Sequence, residues 1–214
     1  MRVVGLGAGG HAKVVIDILQ NAADCELVGL LDPDRTLWGG KVLGVPIAGG
    51  DELLPELHAQ GITHAFIGLG STGDTLPRRH LYEKARQHGF EIVSAIHPHA
   101  VIARSVECGL GATLMAGCIL NPDVSLGENV VVNTGSIIEH DCVIGDHVFV
   151  SPGVRLGGTV TVEDGAHIGI GATVLQNIRI GQNAIIGAGA VVTRDVAQNA
   201  VVVGVPARVL KSRV

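Results

Sequence analysis

The sequence predicts two domains: a small parallel α/β domain over residues 1–97 and a parallel β-helix over residues 98–214 that ends in a C-terminal extension. Two patterns carry this prediction. An aliphatic side chain recurs at every sixth position from Ile102 to Val192, with no insertion to break the count. Before residue 97, short apolar runs alternate with amphipathic stretches, the signature of strands joined by helices.

The hexad series runs Ile102, Cys108, Leu114, Leu120, Leu126, Val132, Ile138, Ile144, Val150, Leu156, Val162, Ile168, Val174, Ile180, Ile186, Val192. A period of six is neither a heptad nor a helical-repeat length, so it points to short stacked strands. Residues two before the anchors, such as Val106, Ala112, Cys118, Val124 and Val130, are small or aliphatic. Alternate strand positions face the same way, so both sets point inward. Three hexads close a triangular coil of eighteen residues, and the ninety-residue spacing between the anchors at 102 and 192 makes five such coils. Residues n and n+18 then stack at roughly 4.8 Å, and stability comes from contact between neighbouring coils. Glycine follows the anchor at positions 109, 127, 145, 157, 169, 181 and 187. At those corners it is expected to supply a positive φ.

In the first domain, Arg2 to Leu6 reads as a buried strand, followed by Gly7-Ala8-Gly9-Gly10-His11 and an amphipathic helix to about Gln20. A second strand covers Leu27 to Leu31 and ends at Asp32; a third covers Ala65 to Leu69 and ends at Gly70-Ser71. A polar helix is expected from about Thr75 to His88, and a fourth strand from Glu91 to Ile96.

Composition narrows the function classes. Glycine is abundant, aromatic residues make up 2%, and the net charge is −5. A narrow prism has no room for rings, and a mild acidic balance disfavours nucleic acid or an anionic membrane as partner. No run is long enough to span a bilayer, and the first residues lack a secretory leader pattern, so a cytoplasmic protein without membrane insertion is expected. Of the four cysteines, Cys108, Cys118 and Cys142 fall on inward positions and read as reduced core residues, leaving Cys25 outside the repeat.

Gly5, Gly7 and Gly10 satisfy G-x-G-x-x-G between a strand and a helix, with Asp32 after the next strand. Exposed backbone N–H groups at a helix N-terminus attract phosphate, and a carboxylate can hold ribose hydroxyls. The domain is about half the usual dinucleotide size. A single nucleotide or nucleotide-sugar therefore fits better than NAD, with a purely structural glycine turn as the alternative.

Within the repeat, Ile138 is an anchor, so His140 points outward at a corner with Asp141 beside it, and Gly158 lies one coil away. A carboxylate orients an imidazole and raises its basicity. The alternatives are a solvated surface histidine, or a zinc site using His140, His147 and His167.

Three stretches together resemble one family: Asn133-Thr134-Gly135-Ser136-Ile137-Ile138-Glu139-His140-Asp141-Cys142, the early Gly-Ala-Gly-Gly-His, and Gly204-Val205-Pro206-Ala207-Arg208. They look like the hexapeptide-repeat sugar acetyltransferases of the sialic acid O-acetyltransferase and bacillosamine or perosamine N-acetyltransferase type. The resemblance implies a Rossmann-like nucleotide-sugar-binding domain, then a left-handed β-helix that departs from the usual right-handed crossover. It implies a homotrimer with sites between neighbouring prisms, acetyl-CoA as co-substrate and no metal. It also implies His140 as catalytic base, Asp141 as supporting acid, and acyl-donor contacts at Ile170 and Ala188. Sugar-nucleotide contacts would fall on Gly9, Gly10, His11, Asp32 and Gly70. Beside these implied contacts, Pro33 next to Asp32 is a candidate contact to the base, and in a direct acyl transfer the Gly158 N–H is the expected donor to the developing oxyanion. Many members carry a second histidine near the CoA ahead of a Ser-Pro-Gly stretch; Phe149 stands there in this chain.

The activity expected is transfer of acetyl from acetyl-CoA to the amine of a nucleotide-linked 4-amino sugar, by direct attack in a ternary complex. O-acetylation of sialic acid or a related sugar is the nearest alternative. A zinc-dependent hexapeptide-repeat enzyme and a non-catalytic nucleotide-binding scaffold are alternatives of other classes.

Overall fold

A computed structural model describes residues 1–22 and 24–213, in two compact units. One unit comprises Met1–Gly70 with Pro77–Ile96; the other comprises Ser71–Leu76 with His97–Val214. The short segment after Gly70 thus belongs to the β-helix unit although it lies far upstream in the chain.

The first unit is built from β1 (Arg2–Leu6), α1 (Gly10–Gln20), β2 (Glu26–Leu31), β3 (Lys41–Val42), β4 (Val45–Gly49), α2 (Leu54–Ala59), β5 (His64–Ile67), α3 (Leu76–Gln87) and β6 (Glu91–Ile92). Its sheet runs β3-β4-β2-β1-β5-β6. All pairings are parallel except β3–β4, a hairpin closed by Leu43 and Gly44, both at positive φ as a two-residue turn demands. Helix α1 buries Ala12, Val15, Ile16, Ile18 and Leu19, one face of a 3.6-residue period, in a core that includes Val3, Leu30 and Phe66.

Two expectations for this unit need correcting, and one unassigned stretch is filled. The third strand stops at Ile67, short of Leu69, because the Arg78 guanidinium takes the carbonyls of Ile67 and Leu69 at 3.0 and 2.8 Å. The strand expected over Glu91 to Ile96 is two strands, Glu91–Ile92 in the α/β sheet and Ala95–Ile96 beyond it. The region between Asp32 and Ile62, unassigned from sequence, holds β3, β4 and α2.

The second unit is a left-handed parallel β-helix. Each hexad contributes a two-residue strand whose second residue is the anchor, and each strand from Val101–Ile102 to Thr173–Val174 pairs in parallel with the strand eighteen residues later. One face stacks Val101–Ile102, Ile119–Leu120, Ile137–Ile138, Arg155–Leu156, Thr173–Val174 and Val191–Val192. The anchors from Leu114 to Val192 are all buried and form one continuous interior with the residues two before them. Cys118 and Cys142 lie in that interior, but Cys108 is exposed: its strand is the end strand of its face, with no coil above it.

The corners also differ from expectation. Every sixth residue from Gly111 to Gly189 has a φ between 55 and 73°, but these lie three residues after the anchor, not one. The series includes Asp123, Asn129, Asp141, Asn177 and Asn183, whose short polar side chains tolerate this region. The glycine directly after an anchor serves close approach instead. A Cβ at Gly169 would stand 2.6 Å from the Ile186 carbonyl oxygen and 2.7 Å from the Ala188 nitrogen on the next coil. Among the described residues, no helix is long and apolar enough to cross a membrane.

Candidate active site

The hexad geometry builds one reactive corner. Glu139 N–H donates to Leu156 O at 3.1 Å, Asp141 N–H to Pro122 O at 3.1 Å and Thr159 N–H to His140 O at 2.9 Å, so the backbone around His140 is held by both adjacent coils. Asp141 occupies the left-handed corner position, φ 59°, which turns its carboxylate back onto the preceding imidazole. His140 Nδ1 lies 2.6 Å from Asp141 Oδ2. An ionised carboxylate only accepts, so Nδ1 carries the proton and Nε2 presents its lone pair outward. The bond to Asp141 is the chief reason the imidazole is raised above its ordinary pKa. Both side chains are more than half exposed on the single chain.

Gly158 is necessary to this arrangement. A Cβ there would stand 2.7 Å from His140 Cε1 and 2.8 Å from Nε2, so any other residue evicts the ring. Gly157 N–H donates to Val174 O and Thr159 N–H to His140 O. Among the described residues no acceptor lies on the Gly158 N–H between them, which leaves a donor beside the imidazole.

The acyl-donor candidates sit on a different corner. Ile170 and Ala188 are exposed and stack on consecutive coils, with Gly189 N–H donating to Ile170 O at 2.8 Å. Their column contains Thr134 and Pro152, whereas the His140 column contains Pro122 and Gly158.

In the first unit, the three motif glycines have separate reasons. A Cβ at Gly5 would overlap Phe66 Cζ at 2.3 Å, and Gly7 has φ 101°. Gly9 and Gly10 have nothing within 4 Å of a Cβ, so the loop is open on its outer side. Asp32 ties this loop down: Oδ2 accepts from Ala8 N–H at 2.8 Å and Oδ1 from Asp34 N–H at 2.9 Å. Each oxygen keeps a second lone pair for a hydroxyl. His11 lies against Gly70, whose Cβ would stand 3.3 Å from His11 Cβ. Burial and the neighbouring Arg78 push the His11 imidazole down to about 3, so it is neutral at ordinary pH. Pro33 lines a cavity of about 430 Å³ together with Trp38, Glu52 and Pro55. Trp38 Nε1–H donates to Asp32 O at 2.8 Å.

Residues 2–85 match the family model described as the PglD N-terminal domain, and residues 123–158 and 159–194 match the bacterial transferase hexapeptide model. A solved structure from Caulobacter crescentus, a histidine-to-alanine variant of GDP-perosamine N-acetyltransferase with CoA and GDP-perosamine, is 40% identical. It superposes with a TM-score of 0.92 over 99% of this chain and 98% of that one. The chain belongs to the hexapeptide-repeat sugar acetyltransferases. The acetyltransferase domain of PglB from Neisseria gonorrhoeae, solved with acetyl coenzyme A, is 31% identical with a TM-score of 0.87 over 98% of each chain. UDP-N-acetylbacillosamine N-acetyltransferase of Bacillus subtilis is 34% identical over 116 residues. That match covers 52% of this chain and spans only half of the curated relative.

Phe149, expected on the acyl-donor side, is buried on the single chain. It is 4% exposed, clusters with Met115 and Val131, and stacks on His167 with ring centroids 5.4 Å apart. His167 in turn lies 3.1 Å from Ser71 Oγ through Nδ1 and 3.4 Å from Ser151 Oγ through Nε2. Burial lowers its pKa to about 4. His147 Nδ1 accepts from the Asn129 amide at 3.0 Å. His140, His147 and His167 thus sit in three separate hydrogen-bonding settings. Among the described residues, no group of three or more His, Cys, Asp or Glu is placed to hold a metal ion. Sequence inspection missed Trp38 and Arg78. Trp38 had a usable signal, as the chain's single tryptophan six residues after Asp32.

Proposed function

We propose that this acetyltransferase moves the acetyl group of acetyl-CoA onto the amino group of a nucleotide-linked 4-amino sugar, with His140 as general base in a ternary complex. The observation that carries the mechanism is the His140–Asp141 pair pressed against Gly158. The neutral amine attacks the thioester carbonyl carbon, forming the C–N bond. His140 Nε2 takes the proton that the nitrogen loses. The carbonyl oxygen gains charge and meets the Gly158 N–H. When the C–S bond breaks, the imidazolium returns its proton to the departing thiolate, giving the N-acetyl sugar and free CoA. Proton transfer of this kind contributes roughly 10²–10⁴-fold.

Support for the acceptor comes from relatives described as perosamine and bacillosamine N-acetyltransferases, one of them solved with GDP-perosamine. The open loop at Gly9 and Gly10 and the pocket beside Pro33 fit a diphosphate followed by a base. Support for a homotrimer is the division of the site: His140 and the Ile170–Ala188 pair occupy different corner columns. A donor lying along one corner column can meet a base on another only where neighbouring prisms adjoin.

The test is a panel of acceptors, GDP- and UDP-linked 4-amino sugars and free sialate, scored by CoA release. Turnover with a nucleotide-linked amino sugar and not with sialate is expected. Turnover confined to sialate overturns the acceptor assignment.

A further inference from the structure

Arg78, on α3 and 2% exposed, is the largest fully buried side chain among the described residues. Its Nη1 donates to Ile67 O at 3.0 Å and to Leu69 O at 2.8 Å, and lies 3.3 Å from His11 Nε2. Its Nε has no acceptor among the described residues, and no carboxylate among them pairs with it. A buried cation with no carboxylate partner is costly and persists only where something requires it. Burial lowers its pKa to about 9, which leaves it charged at neutral pH.

The chemistry of the contact decides the state of His11. A guanidinium has five N–H donors and no acceptor. A proton on His11 Nε2 would face a donor-only cation at 3.3 Å, whether the imidazole were neutral or charged. Only a lone pair fits there, so the ring's single proton sits on Nδ1, the atom 3.6 Å from where a Gly70 Cβ would stand.

We propose that Arg78 is a positioning residue that locks His11 as the neutral, Nδ1-protonated tautomer, so that the imidazole meets the nucleotide-sugar as a hydrogen-bond donor. The role in substrate binding rests on the function proposed above; the tautomer does not. The same buried cation, one side chain removed from the open loop at Gly9 and Gly10, favours an anionic partner such as a diphosphate oxygen.

The experiment is long-range ¹H–¹⁵N correlation on full-length protein with ¹⁵N-labelled histidine, without ligand. The His11 signal among the ten histidines is assigned by its loss in His11→Gln. The expected pattern has a protonated Nδ1 and a bare Nε2. In Arg78→Met the pattern is expected to relax toward exchange between tautomers. The KM for the nucleotide-sugar should rise at least tenfold, with kcat at saturating acceptor within about twofold, while Arg78→Lys, which keeps a donor-only cation, restores most of the affinity. A protonated Nε2 in the unaltered protein overturns the proposal, as does an unchanged tautomer and KM in Arg78→Met. If Arg78→Met does not fold, the spectrum of the unaltered protein decides alone. Failure of every sugar to accept acetyl overturns the proposed function and leaves the tautomer result standing.

Discussion

Gly158 and His140 occupy neighbouring coils such that the imidazole fills the space a Cβ at position 158 would need, 2.7 Å from Cε1. The alanine variant is therefore expected to displace the base while keeping the prism. Misplacing a catalytic group by about 1 Å costs up to 10²-fold. The expectation for Gly158→Ala is a drop in kcat/KM of about that size with a thermal midpoint close to that of the unaltered protein. Near-normal kcat/KM would show that the ring does not act from this position.

Asp141 raises the His140 pKa through the Nδ1 hydrogen bond. The base must be neutral to work, so activity is lost as pH falls through that raised pKa. In Asp141→Asn the pKa drops back toward the ordinary imidazole value, and the acid limb of the kcat/KM profile moves to lower pH. The plateau falls as well, because a weaker base accepts the proton less readily. A pH–rate profile checks both movements; an acid limb that stays put or moves up contradicts the pairing.

His11 and His167 are held at about 3 and about 4 by burial, the first also by Arg78. For a histidine whose folded pKa is depressed, the unfolded chain binds protons first. Stability is complete above about 6.5, the ordinary imidazole value, and drains away as pH falls from there toward the folded values. Denaturant midpoints measured between pH 7 and pH 5 should decrease, and His167→Gln should flatten that slope. A midpoint that rises on acidification runs against the assignment.

Ile170 and Ala188 present an exposed apolar strip on one corner. Ile170→Glu places a carboxylate on that strip, where the anionic donor is expected to lie. The KM for acetyl-CoA should rise about tenfold or more, with the KM for the sugar little changed. Steady-state kinetics with each substrate varied separately make the comparison.

Gly169→Ala tests the corner geometry itself. The new Cβ would meet backbone of the next coil at 2.6 Å, which neither side can give up cheaply. A loss of about 1–3 kcal/mol is expected from overpacking of this kind, read as a fall in denaturant midpoint at constant slope.

The hexad count alone fixed which residues stack, because a six-residue period admits one register. His140, Asp141 and Gly158 followed from it by arithmetic. The role of glycine did not, since a sequence shows a small residue without showing whether φ or close approach demands it. The left-handed positions fall on Asp, Asn, His and Thr as well as Gly, which hid their period. The hairpin at Lys41–Gly49 was illegible because β3 has only two residues and Pro46 interrupts the apolar run of β4. Arg78 was invisible for a deeper reason. In sequence it is one of two adjacent arginines on a polar helix, and arginine is ordinarily solvated. Only the sheet's irregular end at Ile67–Leu69 gives its guanidinium an interior place.

The most direct test of the catalytic account is His140→Ala assayed by CoA release with acetyl-CoA and a nucleotide-linked 4-amino sugar, alongside acetyl-CoA binding by calorimetry. The account predicts binding within about twofold of the unaltered protein and kcat lowered at least 10²-fold. Intact binding together with kcat near that of the unaltered protein would contradict it.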